Sequence, residues 1–242
     1  MSEFSPKSKK SLQEKLKLLC IHGYRQNGEA FRQKTGSFRK IIGKWADFTY
    51  VTAPHKVIKV DTDANINIGQ SPDTEQFGWF FNRDDHTYRG IRKGGPAIGF
   101  EESLRFIEDT FKEHGPFDGI ISFSQGGCFT GLLCDLQQRN LTKCKFNFVI
   151  FFSAFKSDCL PHKKYYSDKI TIPSLHVFGE NDEIIPKEMS ADLSECFEDP
   201  VVLKHSGGHF VAANSQQKPI YKEFIQERFL EKLQNEEDEL DD

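Results

Sequence analysis

Residues Gly119–Phe129 read GIISFSQGGCF, a short apolar run that ends in a polar turn and two adjacent glycines. This is the spelling of a buried β-strand that turns sharply into a helix. A strained residue at the apex of such a turn needs small residues two positions before and two positions after it. With Ser124 at the apex those positions are Ser122 and Gly126; with Ser122 there they would be Ile120 and Ser124, and the isoleucine would crowd the turn. Ser124 is therefore the expected apex, with Gly127 easing the helix against the sheet. A serine followed by glycines can equally be a plain helix N-cap, and only its company elsewhere in the chain separates the two readings.

Outward from this stretch, short apolar runs alternate with longer amphipathic segments, the pattern of repeated β-α units on a parallel sheet. Strands are predicted at Leu16–Ile21, Phe48–Thr52, Gly119–Phe123, Asn147–Phe152, Ser174–Phe178 and Val201–Lys204, and helices at about residues 29–43, 97–113, 125–139, 187–197 and 217–233. In the second of these helices Ile98, Leu104, Ile107 and Phe111 fall at helical spacings, and HGPFDG stops it before the next strand. The expected fold is α/β: a doubly wound, mainly parallel sheet of about six strands with helices on both faces. One domain is expected over residues 15–234, after a flexible segment 1–14 and before an acidic tail 235–242.

The formal net charge is −4, but the closing EEDELDD carries six acidic residues, which leaves the body near neutral. Neither a basic groove nor a nucleic-acid partner is expected. No apolar run approaches the roughly 20 residues that span a bilayer, and the polar, lysine-rich start has no apolar signal core, so no transmembrane segment and a cytoplasmic location are expected. Cys20, Cys128, Cys134, Cys144, Cys159 and Cys196 lack paired C-x-x-C spacing, and several sit in apolar runs such as LLCIHG and GLLCDL. They read as buried reduced thiols rather than a metal site. None of this sets an oligomeric state.

In open parallel sheets, ligands collect outside the carboxyl ends of the strands. Four expected strand ends carry reactive side chains: IHGYRQNG, ISFSQGG, VFGENDEIIP and LKHSGGHFV. Serine, aspartate and histidine follow one another there in the chain order of the α/β-hydrolase arrangement. A serine hydroxyl is a weak nucleophile until a base removes its proton, and the base needs an orienting acid. Ser124 is the candidate nucleophile, His209 the candidate base and Asp182 the candidate acid, with His205 the rival base and Glu180 and Glu183 chemically able alternatives to Asp182. The two histidines are not a zinc helix, because Gly207 and Gly208 argue against a helix and no glutamate lies between them. Those glycines are expected to permit an unusual backbone path that aims His209 at the turn. Two backbone N–H groups must face the developing oxyanion, expected here from Gln125 and Tyr24, with Gly23 letting the chain bend and His22 structural.

Between Pro54 and Pro96 the β-α rhythm fails, and DTDANINIGQSPDTEQ is joined to FGWFFNRDDHTYRG. Connections well beyond about 12–15 residues in a compact domain are usually functional, so a pocket wall or lid is expected at about 54–96. Of the 23 phenylalanines most read as core, while Trp79, Phe80 and Phe81 are expected to line an acyl pocket. His55, His86, His114, His162 and His176 show no partner pattern, and YRGIRKGG, residues 88–95, reads as a solvated loop, with phosphate binding as the other reading.

The combination of LLCIHGYRQNGEAFRQKTGSFRK, FDGIISFSQGG, VFGENDEIIP and HSGGHFV resembles the FSH family of small serine hydrolases, from about residue 16 to residue 230. HGYRQNG together with FSQGG is more specific than a bare serine turn. The resemblance implies an α/β-hydrolase fold, Ser124, Asp182 and His209 as the catalytic triad, carboxylester hydrolysis, and no metal or cofactor. Ser122 departs from the glycine usual at that position of the family's motif. The expected reaction is hydrolysis of a small-molecule ester with an apolar acyl chain through an acyl-enzyme. Acyl thioesters are the chemical alternative, and non-catalytic binding on a hydrolase scaffold is the alternative of a different class.

Overall fold

All five residues of Gly119–Phe123 are buried, as a central strand covered on both faces requires. The computed structural model describes residues 14–58 and 75–241, with side chains described through residue 238. In chain order its elements are β1 (Leu16–Ile21), α1 (Gly28–Lys34), α2 (Gly36–Ile42), β2 (Ala46–Val51), β3 (His55–Lys56), β4 (Phe77–Gly78), α3 (Phe100–His114), β5 (Gly119–Phe123), α4 (Gln125–Gln138), β6 (Phe148–Phe152), β7 (Ser174–Gly179), α5 (Lys187–Ser194), β8 (Val201–His205) and α6 (Lys218–Asp241). Six strands form one sheet in the order β2-β1-β5-β6-β7-β8, and every pairing in it is parallel. This is the α/β-hydrolase layout expected from the sequence.

Two cores sandwich the sheet because successive strand residues point to opposite faces. Leu18 and Cys20 of β1 join Phe31 and Phe38 of α1 and α2 and Tyr221 and Phe224 of α6 on one face. Leu19 and Ile21 join Ile107 of α3, Phe129 and Leu132 of α4 and Leu193 of α5 on the other. Burial of a large apolar side chain stabilises by roughly 1.5–3 kcal/mol, so these two layers set the strand register. The winding direction reverses between β1 and β5, which opens a crevice at their carboxyl ends.

The predicted helix 29–43 is two helices. The Thr35 hydroxyl lies 3.0 Å from the Phe31 carbonyl, four residues back, and competes with the helical ladder where α1 gives way to α2. The acidic end also differs from expectation, since α6 continues to Asp241 instead of stopping near residue 233. Its later turns carry the pairs Arg228–Glu231 and Lys232–Glu236, which favour helix. A small antiparallel ribbon of β3 and β4, not foreseen, pairs the start of the long insertion with its middle. Residues 59–74 of the expected lid at about 54–96 lie outside the described residues, as do residues 1–13. No helix among the described residues is long and apolar enough to cross a membrane.

Candidate active site

β5 and α4 meet at a single residue. Ser124 N–H extends the sheet ladder to the Phe152 carbonyl at 2.9 Å, and the Ser124 carbonyl accepts Cys128 N–H of the first helical turn at 2.9 Å. Held from both sides, Ser124 takes φ 52°, ψ −118°, outside the wells an L-residue prefers. Such strain costs about 1–3 kcal/mol and persists only where the surroundings impose it. The turn lies hard against β1: a Cβ on Gly126 would sit 2.3 Å from His22 O and 2.6 Å from Ile21 O. The nearest atoms that demand a glycine there thus belong to the neighbouring strand and its exit, rather than to residue 122. Gly23 is likewise a matter of room more than of bending, since a Cβ there would lie 2.9 Å from the Phe123 ring and 3.2 Å from Ser124 Cβ.

Ser122 sits within β5 opposite Ile21 and Phe151, fully buried, with no hydrogen-bond partner for its hydroxyl among the described residues. A buried hydroxyl left unpaired has lost its water without compensation. Ser122→Ala is therefore expected to leave thermal stability unchanged or raise it by up to about 1 kcal/mol, with turnover retained. A fall in melting temperature would show that the hydroxyl is bonded after all.

The loops after β7 and β8 are sewn together. Glu180 N–H donates to His205 O at 2.7 Å, Asn181 N–H to Gly207 O at 3.1 Å, and the Asn181 side chain to Ser206 O at 2.7 Å. Neither Gly207 nor Gly208 has a positive φ. Gly207 instead gives room, because a Cβ would meet the Phe210 ring at 2.4 Å. From this loop His209 reaches both partners: Nδ1 lies 2.7 Å from Asp182 Oδ2 and Nε2 lies 2.9 Å from Ser124 Oγ. Phe123 flanks the imidazole with ring centres 4.8 Å apart.

The other Asp182 oxygen, Oδ1, accepts Ile184 N–H at 2.9 Å and Ile185 N–H at 2.8 Å. Burial alone would raise this carboxyl, but the hydrogen bond and charge of His209 and the two amides outweigh it and hold its pKa below the ordinary value. An anionic Asp182 keeps the proton on Nδ1, which leaves the Nε2 lone pair to accept from the Ser124 hydroxyl. His205 instead accepts Gly207 N–H on Nδ1 at 3.1 Å and packs on Phe210, and burial pushes its pKa down. Glu180 and Glu183 are exposed.

Gln125 N–H is the first in α4 and has no acceptor within the helix. The Gln125 side chain does something the sequence did not announce. Its Oε1 accepts Trp79 N–H at 3.0 Å and its Nε2 donates to Phe80 O at 2.7 Å, which staples the insertion to the serine turn. Tyr24 is drawn to the same place, its hydroxyl accepting Tyr88 N–H at 3.2 Å. His22 is structural as expected: Nε2 accepts Ala53 N–H at 3.0 Å, Nδ1 bonds Gly23 O, and burial pushes its pKa down to about 4, so it stays neutral.

The expectation for Trp79, Phe80 and Phe81 has to be corrected. They are 0%, 0% and 3% exposed and belong to the core under α3 and α4. Trp79 stacks on Phe129 at 5.1 Å and donates its indole N–H to His22 O at 2.8 Å. Side chains enclosed in this way hold the insertion down and leave no face for an acyl chain. His55 also has a structural partner, Gly99 O at 2.7 Å. Among the described residues no group of three or more His, Cys, Asp or Glu is placed to hold a metal ion, and all six cysteines are free thiols.

Residues 11–220 match the family described as serine hydrolase (FSH1). The chain is 47% identical to Esterase CG5412 of Drosophila melanogaster over 229 residues, covering 95% of this chain and 80% of that one. It is 41% identical to Esterase OVCA2 of Danio rerio over 219 residues, covering 87% and 96%. Among solved structures, acyl-protein thioesterase 2 of Zea mays superposes with TM-score 0.60 at 14% identity over 90% of this chain and 96% of that one. Esterase PE8 superposes with TM-score 0.60 at 19% identity over 88% and 92%. At these identities the structural likeness speaks for the α/β-hydrolase fold alone.

Proposed function

Because this chain belongs to the serine hydrolase (FSH1) family, we propose that it is a serine carboxylesterase working through Ser124, His209 and Asp182. The observation that carries the reading is the unbroken relay from Ser124 Oγ to His209 Nε2 at 2.9 Å and from His209 Nδ1 to Asp182 Oδ2 at 2.7 Å. His209 takes the Ser124 proton on Nε2 as Oγ attacks the ester carbonyl, then returns it to the departing alkoxide. Asp182 fixes the tautomer and stabilises the imidazolium formed in between. The amides of Gln125 and Tyr24 donate to the carbonyl oxygen as it becomes an oxyanion. Water, activated by His209 in its turn, cleaves the acyl-serine. The strained turn at Ser124 supports this reading, because a mere helix cap gains nothing from φ 52°.

Labelling with a fluorophosphonate tests it. One adduct per chain is expected, and fragment spectra should assign it to Ser124 rather than Ser122. An adduct on any other residue, or none, would sink the assignment.

A further inference from the structure

The insertion holds a second concentration of chemistry that the ester-cleaving groups leave unused. Arg83, Arg89, Ile91 and Arg92 line an open cavity of about 400 Å³. The stretch that reads as a solvated loop is firmly built. Asn82, 3% exposed, grips Arg89 twice: its Oδ1 accepts Arg89 N–H at 3.0 Å and its Nδ2 donates to Arg89 O at 2.9 Å. Gly95, at φ +91°, lies so close that a Cβ would meet Asn82 O at 2.4 Å and Arg92 Nε at 3.1 Å. Gly94 N–H donates to Asp158 O at 3.0 Å and Leu160 N–H to Gly95 O at 2.9 Å, which ties the far end to the segment after β6.

The position of Arg89 matters as much as its rigidity. On one side, Tyr88 N–H donates to the Tyr24 hydroxyl at 3.2 Å, in the loop after β1. On the other, Gly90 presses on Ile185, where a Cβ would meet Cδ1 at 2.6 Å, and Ile185 N–H is one of the two amides on Asp182. Arg89 therefore belongs to a bridge between the expected oxyanion loop and the acid loop, which lie on either side of the Ser124 turn. Arg83 approaches Asp85 at 4.0 Å, whereas among the described residues Arg89 and Arg92 make no ion pair. Guanidinium groups grouped around one cavity repel one another, and their planar forks suit the paired oxygens of a carboxylate or phosphate.

We propose that this cavity binds an anionic group, a carboxylate or phosphate, carried by the ester substrate at the end remote from the scissile bond. Arg89 and Arg92 supply the charge, Arg83 adds to it, and Ile91, 48% exposed, offers an apolar surface to the adjoining carbon chain. The inference rests on the esterase reading and names the substrate class: esters that carry a negative charge, drawn toward Ser124 by the field of the bridge.

A matched pair of substrates tests it: the mono-p-nitrophenyl ester of suberic acid, with its free carboxylate, and the same ester capped as the methyl ester. The ratio of their kcat/KM values is measured for the native protein, for R89Q/R92Q and for R89K/R92K, at low and high salt, with inorganic phosphate as competitor. The native protein should prefer the free acid by about tenfold or more at low salt and lose much of that preference at high salt. R89Q/R92Q should bring the ratio near one, and R89K/R92K should keep most of it. Phosphate should inhibit turnover of the free acid and leave that of the capped ester alone. A native ratio near one, or a preference that survives in R89Q/R92Q, overturns the proposal. Phosphate that alters turnover of both esters alike also overturns it, because the cavity would then serve a free anion. If R89Q/R92Q does not fold, the native ratio with its salt dependence and the lysine pair still decide. Failure to cleave even the capped ester would count against the esterase reading instead.

Discussion

Ser124→Ala is expected to lower turnover of a p-nitrophenyl ester by on the order of 10⁶-fold, to the level left by binding and oxyanion contacts alone. The size follows from geometry. Ser124 Oγ lies 2.9 Å from His209 Nε2, while Ser122 is enclosed in β5 with 0% exposure and cannot meet a substrate. Ser122→Ala should therefore turn over as the native protein does. The folded state should tolerate the Ser124 change, because its hydroxyl bonds a single side chain, the His209 imidazole, which keeps its bond to Asp182. Comparing kcat of the two variants, with circular dichroism to confirm folding, checks both halves. Full activity in Ser124→Ala would remove the nucleophile from the mechanism altogether.

The second large effect belongs to Asp182→Asn, expected to cost about 10⁴-fold in kcat with little change in fold. Oδ1 of Asp182 receives the amides of Ile184 and Ile185, and an asparagine would place its carbonyl oxygen there to satisfy them. Its NH₂ would then face His209 Nδ1, which has to become the acceptor and pushes the ring proton onto Nε2. That tautomer cannot take the Ser124 proton. Asp182→Ala should be no better, since it leaves the amides of Ile184 and Ile185 without their acceptor as well. The same carboxylate leaves a mark on stability. Because its folded pKa is depressed below the usual value, its contribution is fully present above about pH 4 and is lost as pH falls through the lowered value. The stability difference between native protein and Asp182→Asn should thus be level at neutral pH and shrink only on the acid side. A difference that varied between pH 6 and 8 would point to another group.

Much of this arrangement is legible from local pattern. β1 and β5 fall where apolar runs predict them, and α4 begins at Gln125, because a buried parallel strand and a glycine-eased turn are each spelled within about ten residues. The order Ser124, Asp182, His209 is equally local, each residue lying just past a strand end. The reasons behind some small residues are not local. Gly126 answers to the carbonyls of His22 and Ile21, about a hundred positions earlier in the chain, and Gly207 to the ring of Phe210.

Between β2 and α3 the sequence offers composition without periodicity, and there long-range contacts set the outcome. GWFF is apolar, and apolar residues suit a pocket wall and a core equally well. What holds Trp79 and Phe80 inward is a pair of hydrogen bonds with the Gln125 side chain and a stack on Phe129, both tens of positions further along the chain. Arg89 and Arg92 read as solvated because charge on a loop is usually that, and only the grip of Asn82 on Arg89 and the contact of Gly90 with Ile185 tie their loop to the acid loop. The parallel sheet, the serine turn and the three candidate residues depend on neighbours in the chain and are legible there. Which aromatic residues are core, how the insertion is fastened and where its arginines stand depend on contacts between residues tens of positions apart, and those exist only once the sheet has closed over its two cores.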